Sequence, residues 1–369
     1  MPFVKSADVA MFAGADWAGL RKTVPGCTPE EARRIAMLDP ESRFFFFCRD
    51  GMVLENPEWP EPRIFNPGDA VFFSGEPWWG SAPQCDGYQK DGLSLAYMGN
   101  ITKTPPLVAG EYATAQGLNA VDVVCLFAAN LATSVPYGYV QLAPDVPVPA
   151  GGTFAIGGDG FPEVFAQSVA PLQAKGLTVL LTLLNNHDQA GWSAFDPDTE
   201  VGQSNCANLV AQLKSIVDRY GFDGIDIDDE YSDGPAYPAS LAMVTSMMRE
   251  AMPGKIVSKA LWDDQQYFGP AYQGTTLAAN LVYGWYMGYG SDPSWILPTY
   301  AGYGMSPLGL AMGYWTDQPA NPPTLGVEWL KANGFAGYMV YAGDDAPDQA
   351  LLGQLVDAWS GPGNWNRSG

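Results

Sequence analysis

The residues best suited to chemistry lie in the stretch Gly221-Phe222-Asp223-Gly224-Ile225-Asp226-Ile227-Asp228-Asp229-Glu230-Tyr231. Read as a strand, it puts Asp226, Asp228 and Glu230 on one face and Ile225 and Ile227 on the other, because side chains alternate with period two. Neighbours on one face are about 7 Å apart along the strand, so the three acids form a row of like charges. Crowded carboxylates raise one another's pKa, so at least one keeps its proton at neutral pH. A protonated carboxyl beside an ionised one is what general acid catalysis requires. The intervening isoleucines suit a buried strand rather than a solvated acidic face. A calcium-binding EF-hand loop would need Gly at its sixth position and Glu at its twelfth, where a count from Asp226 finds Tyr231 and Tyr237.

Eight strands alternating with helices are expected to position this row. The strands fall near Ser94–Met98, Val121–Phe127, Leu177–Leu184, the acidic strand, Ile256–Lys259, Leu281–Trp285, Leu308–Met312 and Tyr338–Tyr341. Helices are expected at Pro162–Lys175, closed by Gly176, and through Leu209, Leu213, Ile216 and Val217, stopped by Gly221. Two more run from Ser240 to Ala251 and from Asp348 to Trp359. That rhythm over residues 92–359 predicts an α/β fold, a (β/α)8 TIM barrel, with its active site at the strands' C-terminal ends. Asp228 and Glu230 lie there, as do Asn100, Asn130, Asn185, Trp285, Tyr286, Tyr314 and Tyr341.

A small α+β domain over residues 1–91 precedes the barrel. Thr28-Pro29-Glu30-Glu31 reads as a helix start, running to Leu38. Arg43–Cys48, with four successive phenylalanines, reads as a buried strand, and strands at Met52–Leu54 and Asp69–Phe73 follow. The tryptophan pair in Pro77-Trp78-Trp79-Gly80 reads either as a sugar-binding patch or as a wedge against the barrel. Residues 360–369 read as a loose tail.

The composition narrows the partners. The chain has 369 residues, a formal net charge of −22 with 18 Lys plus Arg, and a mean hydropathy of −0.06. Nucleic acid and anionic membrane both need a basic face, and no apolar run reaches membrane-spanning length. Neutral glycans suit the charge, and 13% aromatic residues are enough to line a sugar cleft. The five cysteines show no Cys-x-x-Cys, and His187 is the one histidine, so neither a metal nor a cofactor is expected. No nucleotide-binding glycine fingerprint follows a strand, and Gly-x-Ser-x-Gly is absent. The first residues lack a basic-then-apolar leader pattern, so the chain either stays inside the cell or has lost its leader.

Asp223, Gly224, Asp226, Asp228 and Glu230 fill the pattern Asp-Gly-x-Asp-x-Asp-x-Glu, and the chain thereby resembles family 18 of the glycoside hydrolases. Asp228-Asp229-Glu230-Tyr231, Ala128-Ala129-Asn130 and Asn186-His187 resemble the bacterial-type endo-β-N-acetylglucosaminidases that cut N-glycan cores. The likeness spans roughly residues 93–359. It implies a retaining, substrate-assisted mechanism, in which the substrate's own acetamido group attacks the anomeric carbon. By resemblance Glu230 is the proton donor, Asp228 holds the acetamide N–H, and Asp226 backs Asp228. Tyr286 is placed as the hydroxyl that orients the acetamide, with Tyr289 the other candidate. Asn130, Asn185, His187, Trp285, Tyr289, Tyr314 and Tyr341 are the expected glycan contacts. The substrate implied is an N-glycan or glycoprotein; a chitinase, or a non-catalytic lectin of the same fold, are the alternatives. The chain departs from the family with Thr182-Leu183-Leu184-Asn185 after the third strand, Trp285-Tyr286 at the sixth and Tyr341 at the eighth.

Overall fold

The computed structural model describes residues 3–11, 19–55, 59–74, 79–98, 106–133, 140–148, 155–158, 161–185, 190–289, 291–317, 323–341, 346–363 and 365–367. It opens with an antiparallel sheet of five strands: β1 (Phe3–Met11), β2 (Leu20–Val24), β3 (Phe44–Cys48), β4 (Ala70–Phe73) and β5 (Trp79–Lys90), in the order β1-β5-β3-β4-β2. The run of four phenylalanines is explained by burial on both faces. Phe44 and Phe46 pack with Met52, Phe65, Val71 and Phe73 under a short hairpin. Phe45 and Phe47 face helix α1 (Pro29–Met37) and the barrel. Helix α1 starts with a complete capping box: Glu31 N–H donates to Thr28 Oγ1, and Thr28 N–H donates to the Glu31 carboxylate.

The second sheet is a closed parallel barrel. Its strands are β6 (Leu93–Met98), β7 (Val123–Ala132), β8 (Thr178–Asn185), β9 (Gly224–Ile227), β10 (Ile256–Leu261), β11 (Tyr283–Tyr286), β12 (Leu310–Tyr314) and β13 (Gly337–Val340). Each pairs in parallel with the next in chain order, and β13 returns to β6. Helices α2 (Phe161–Ala174), α3 (Glu200–Tyr220), α4 (Ser240–Ala251), α5 (Leu277–Asn280), α6 (Pro293–Gly302), α7 (Pro323–Ala332) and α8 (Ala346–Ser360) surround it. Among the described residues the β6–β7 connection holds no α-helix, only a 3-10 turn, Pro106–Glu111, and a short strand, Tyr112–Thr114. Gly221 ends α3 in the left-handed conformation, φ 78°, and turns the chain into β9.

The N-terminal sheet closes the barrel's bottom, where the strands begin. Phe3, Phe45, Phe72 and Tyr88, with Ala32, Ala36 and Met37 of α1, share one core with Leu93, Val123, Ile256 and Tyr283. Polar ties hold the junction: Arg34 Nη1 lies 2.6 Å from Asp223 Oδ1, and Tyr283 Oη donates to Met37 O at 2.7 Å. Lys90 Nζ, buried, donates to Asp39 O at 3.2 Å. The tail expected to be loose is not so throughout: Trp365–Arg367 pairs with Tyr112–Thr114, and the Trp365 ring packs 5.4 Å from Tyr112. Trp78 and the Trp79 side chain, the pair weighed for sugar binding, lie outside the described residues.

Candidate active site

The Asp-Gly-x-Asp-x-Asp-x-Glu run passes from the barrel's floor to its mouth. Asp223 belongs to the floor: besides Arg34, its carboxylate accepts from Val179 N–H and Gln173 Nε2, each at 2.9 Å. Gly224 leaves no room for a side chain, since a Cβ there would stand 2.0 Å from Ile256 O of the neighbouring strand. Along β9 the alternation is as expected, with Ile225 and Ile227 in the outer core beneath the helices and Asp226 in the interior. The strand ends at Ile227, so Asp228, Asp229 and Glu230 stand on the segment leaving it. Tyr231 then turns through φ 60° and is half exposed.

Asp226 is fully buried and saturated with donors. Its carboxylate accepts from Tyr97 Oη at 2.5 Å and from Thr182 Oγ1 and Ser258 Oγ at 2.8 Å. Thr182 and Ser258 occupy the register positions beside Asp226 on β8 and β10. Trp285 Nε1–H donates to Tyr97 Oη at 2.5 Å, extending the chain across the barrel. Burial raises the Asp226 pKa, and its three hydroxyl donors work against that rise.

Asp228 follows, 2% exposed. Burial, and then the charges of Glu230 and Asp226, push its pKa well above the usual carboxylate range. Its buried Oδ1 has no hydrogen-bond partner among the described residues. Such an atom costs free energy unless something bound there supplies a partner. Glu230 is half-buried, and burial raises its pKa as well. Asp229 turns aside to accept from Asn185 Nδ2 at 3.0 Å. Lys259 on β10, 2% exposed, is the register partner of Ile227; it pairs with Asp264 at 2.6 Å and acts to lower the pKa of Asp226, Asp228, Asp229 and Glu230.

Asp228 and Glu230 open into a cleft of about 370 Å³ walled by aromatic rings. On one side Trp262, 50% exposed, stacks on Tyr286 with centroids 5.9 Å apart. On the other, Tyr341 gathers Phe127, Tyr289 and Trp315 at 5.5, 6.0 and 5.2 Å.

Of the expected contacts, Tyr289 and Tyr341 line this cleft with Asp228 and Glu230. Others fall elsewhere, because strand phase decides which face a side chain takes. Trp285 points inward but is wholly buried, so it supports Tyr97 and offers no ring to a ligand. Tyr286, its neighbour, points outward against the helix layer, 6.4 Å from Tyr300, and backs Trp262. Tyr314 also faces outward, its hydroxyl occupying the space a Cβ at Gly326 of α7 would need. Asn185 is buried on Asp229. Asn130, half-buried, lies between Gly157 and Leu184 of β8 in the strand register and is not among the residues that line the cleft. Asn100 and His187 lie outside the described residues. Residues the sequence did not single out are Tyr97, Thr182, Ser258, Lys259, Trp262 and Trp315. Thr182 and Ser258 are legible only once strand register is known, and a lone Lys at a strand end carries no signal.

Comparison with known proteins agrees with this geometry. The chain is 30% identical over 263 residues to an endo-β-N-acetylglucosaminidase of Flavobacterium sp. (strain SK1022), covering 67% of this chain and 74% of that protein. It is 25% identical over 199 residues to endo-β-N-acetylglucosaminidase F1 of Elizabethkingia meningoseptica, covering 52% and 56%. Its fold matches EndoBT-3987 of Bacteroides thetaiotamicron in complex with Man9GlcNAc2Asn substrate, with a TM-score of 0.58, 16% identity and coverage of 100% and 91%. A GH18 chitinase from Cycas revoluta in complex with (GlcNAc)3 matches with a TM-score of 0.52 and 12% identity, covering 73% of this chain and 100% of that one. No family model matches. The likeness to the two solved structures is one of fold; the curated relatives carry the assignment, and the chain belongs to the endo-β-N-acetylglucosaminidases of glycoside hydrolase family 18.

Proposed function

We propose that this protein hydrolyses the GlcNAc-β1,4-GlcNAc bond in the chitobiose core of N-glycans, with retention, through an oxazolinium ion formed by the substrate's own acetamido group. The observation that carries the reading is Asp228 Oδ1: a buried carboxyl oxygen with no partner among the described residues, in the same cleft as a half-buried Glu230. An acetamide N–H would satisfy it. Glu230 then protonates the glycosidic oxygen as the acetamido oxygen attacks the anomeric carbon. Asp228 balances the positive charge of the oxazolinium, with Asp226 and its three donors fixing it from behind. Glu230 returns as base to activate water. Tyr289 is better placed than Tyr286 to meet the acetamido oxygen, because it shares the cleft with both acids. The catalytic unit is residues 92–359, and residues 1–91 support it from below.

The names of the relatives favour the N-glycan core over chitin. The experiment is to offer a high-mannose glycoprotein and, separately, a chitooligosaccharide, and to weigh the products. The expected result is a released glycan ending in one GlcNAc, with one GlcNAc left on the protein. Turnover of the chitooligosaccharide alone would replace this reading with a chitinase.

A further inference from the structure

Two cysteines face each other in the N-terminal sheet. Cys48 on β3 and Cys85 on β5 are register partners across an antiparallel pair. Their Sγ atoms are 3.2 Å apart, and both residues are wholly buried. The ladder fixes what kind of pair they are. Arg49 N–H bonds Gln84 O at one end of the pairing and Lys90 N–H bonds Arg43 O at the other. In an antiparallel ladder hydrogen-bonded and non-hydrogen-bonded pairs alternate, so Cys48 and Cys85 form a non-hydrogen-bonded pair, the kind whose side chains approach most closely. Cα atoms about 4.5 Å apart lie within the span a disulfide bridges without moving the backbone.

The surroundings argue against other uses of these thiols. Met52 Sδ lies 3.8 Å from Cys85 Sγ, and Phe44, Phe46, Phe65 and Phe73 complete an apolar shell. As thiols the two offer each other one weak S–H···S contact. Cys27, Cys125 and Cys206 are free thiols as well, on other elements of the fold.

We propose that Cys48 and Cys85 form a cross-strand disulfide when the chain folds in the presence of a disulfide donor, stapling two inner strands of the sheet that closes the barrel. The donor is a small-molecule or enzyme disulfide. One cysteine thiolate attacks a donor sulfur and expels a thiolate, leaving a mixed disulfide on the protein. The second cysteine thiolate attacks the first cysteine's sulfur and expels the other donor thiolate. Two protein thiols thus lose two electrons and two protons, and one donor disulfide becomes two thiols. Because the folded sheet hides both sulfurs, exchange belongs to folding, before the Met52–Phe65 hairpin seats over them.

The test refolds the full chain from guanidinium with reductant, then in a mixture of reduced and oxidised glutathione. Free thiols are alkylated afterwards and the digest is mapped by mass spectrometry. The expected result is a Cys48–Cys85 crosslinked peptide, two hydrogens lighter than its parts, with Cys27, Cys125 and Cys206 alkylated. The crosslinked protein should melt roughly 5 °C or more above its reduced form, since the bridge constrains the intervening loop. A Cys85→Ala variant should lose that dependence on reductant. Alkylation of both Cys48 and Cys85 after oxidative refolding, or a crosslink through another cysteine, would overturn the proposal. The mapping uses the native sequence, so its outcome stands whether or not the variant folds.

Discussion

Lys259 Nζ lies 2.6 Å from Asp264 Oδ2, and both side chains are almost wholly buried. Burial works against the charge on Lys259, but Asp264 and Asp229 outweigh it and its pKa stands above the ordinary value. The cation lowers the pKa of Asp228 and Glu230, against the rise that burial imposes. Lys259→Met should therefore let the pKa of both Glu230 and Asp228 climb. The acid form of Glu230 then survives to higher pH, so the alkaline limb of kcat/KM moves upward. A profile that stays in place in a folded Lys259→Met protein would leave the residue a purely structural role.

Glu230→Gln keeps the shape of the side chain and removes its proton. Hydrolysis of a natural glycan should fall by about 10² to 10⁴, the usual worth of general acid catalysis. Full activity in this variant, or an inverted first product by NMR, would end the substrate-assisted account.

Asp228→Asn should fail differently. It leaves the acid in place and weakens the charge that supports the oxazolinium, so it slows even substrates whose leaving group needs no protonation. A preformed sugar oxazoline bypasses that step and should still be consumed, with transfer to an acceptor sugar gaining on hydrolysis. Equal loss on the oxazoline and on the glycan would assign Asp228 to binding instead.

Trp262→Ala removes an exposed ring already stacked on Tyr286. Nothing in the acid cluster touches it by hydrogen bond, so KM should rise about tenfold while kcat changes little. Steady-state kinetics on one defined glycopeptide separate the two constants.

No added metal should be needed. Lys259 already supplies a buried cation to the carboxylates, and among the described residues no group of His, Cys, Asp or Glu is arranged to hold a metal ion. Turnover should survive dialysis against a chelator. Loss on chelation with recovery on adding calcium would recast Asp226, Asp228 and Glu230 as ligands.

Much of this was legible because periodicity is local. The alternation of Ile225, Asp226 and Ile227 fixes both the strand and the face its acids share. The capping box at Thr28 and the stop at Gly221 are written in adjacent residues. What stayed hidden depends on pairing between distant segments. Tyr97, Thr182 and Ser258 converge on Asp226 only through the register of three strands. Trp285 and Tyr286 could be ranked only with the phase of β11 known, since a shift of one residue exchanges their faces. Strands β1 and β5 carry polar residues such as Lys5, Ser6, Asp86 and Gln89, which mask their pattern.

Asp223 is held by Arg34 at the base, while Asp228 meets the cleft five residues further on, about 16 Å along the strand. One short segment is thus both footing and working tip. For protein engineering this sets a rule of exchange. A barrel transplanted onto another base must bring a guanidinium to the position of Arg34, or the new base must supply a substitute. Otherwise Asp223 is left buried with only Gln173 and the Val179 N–H to hold it, and the segment that leads to Asp228 loses a tie at its base.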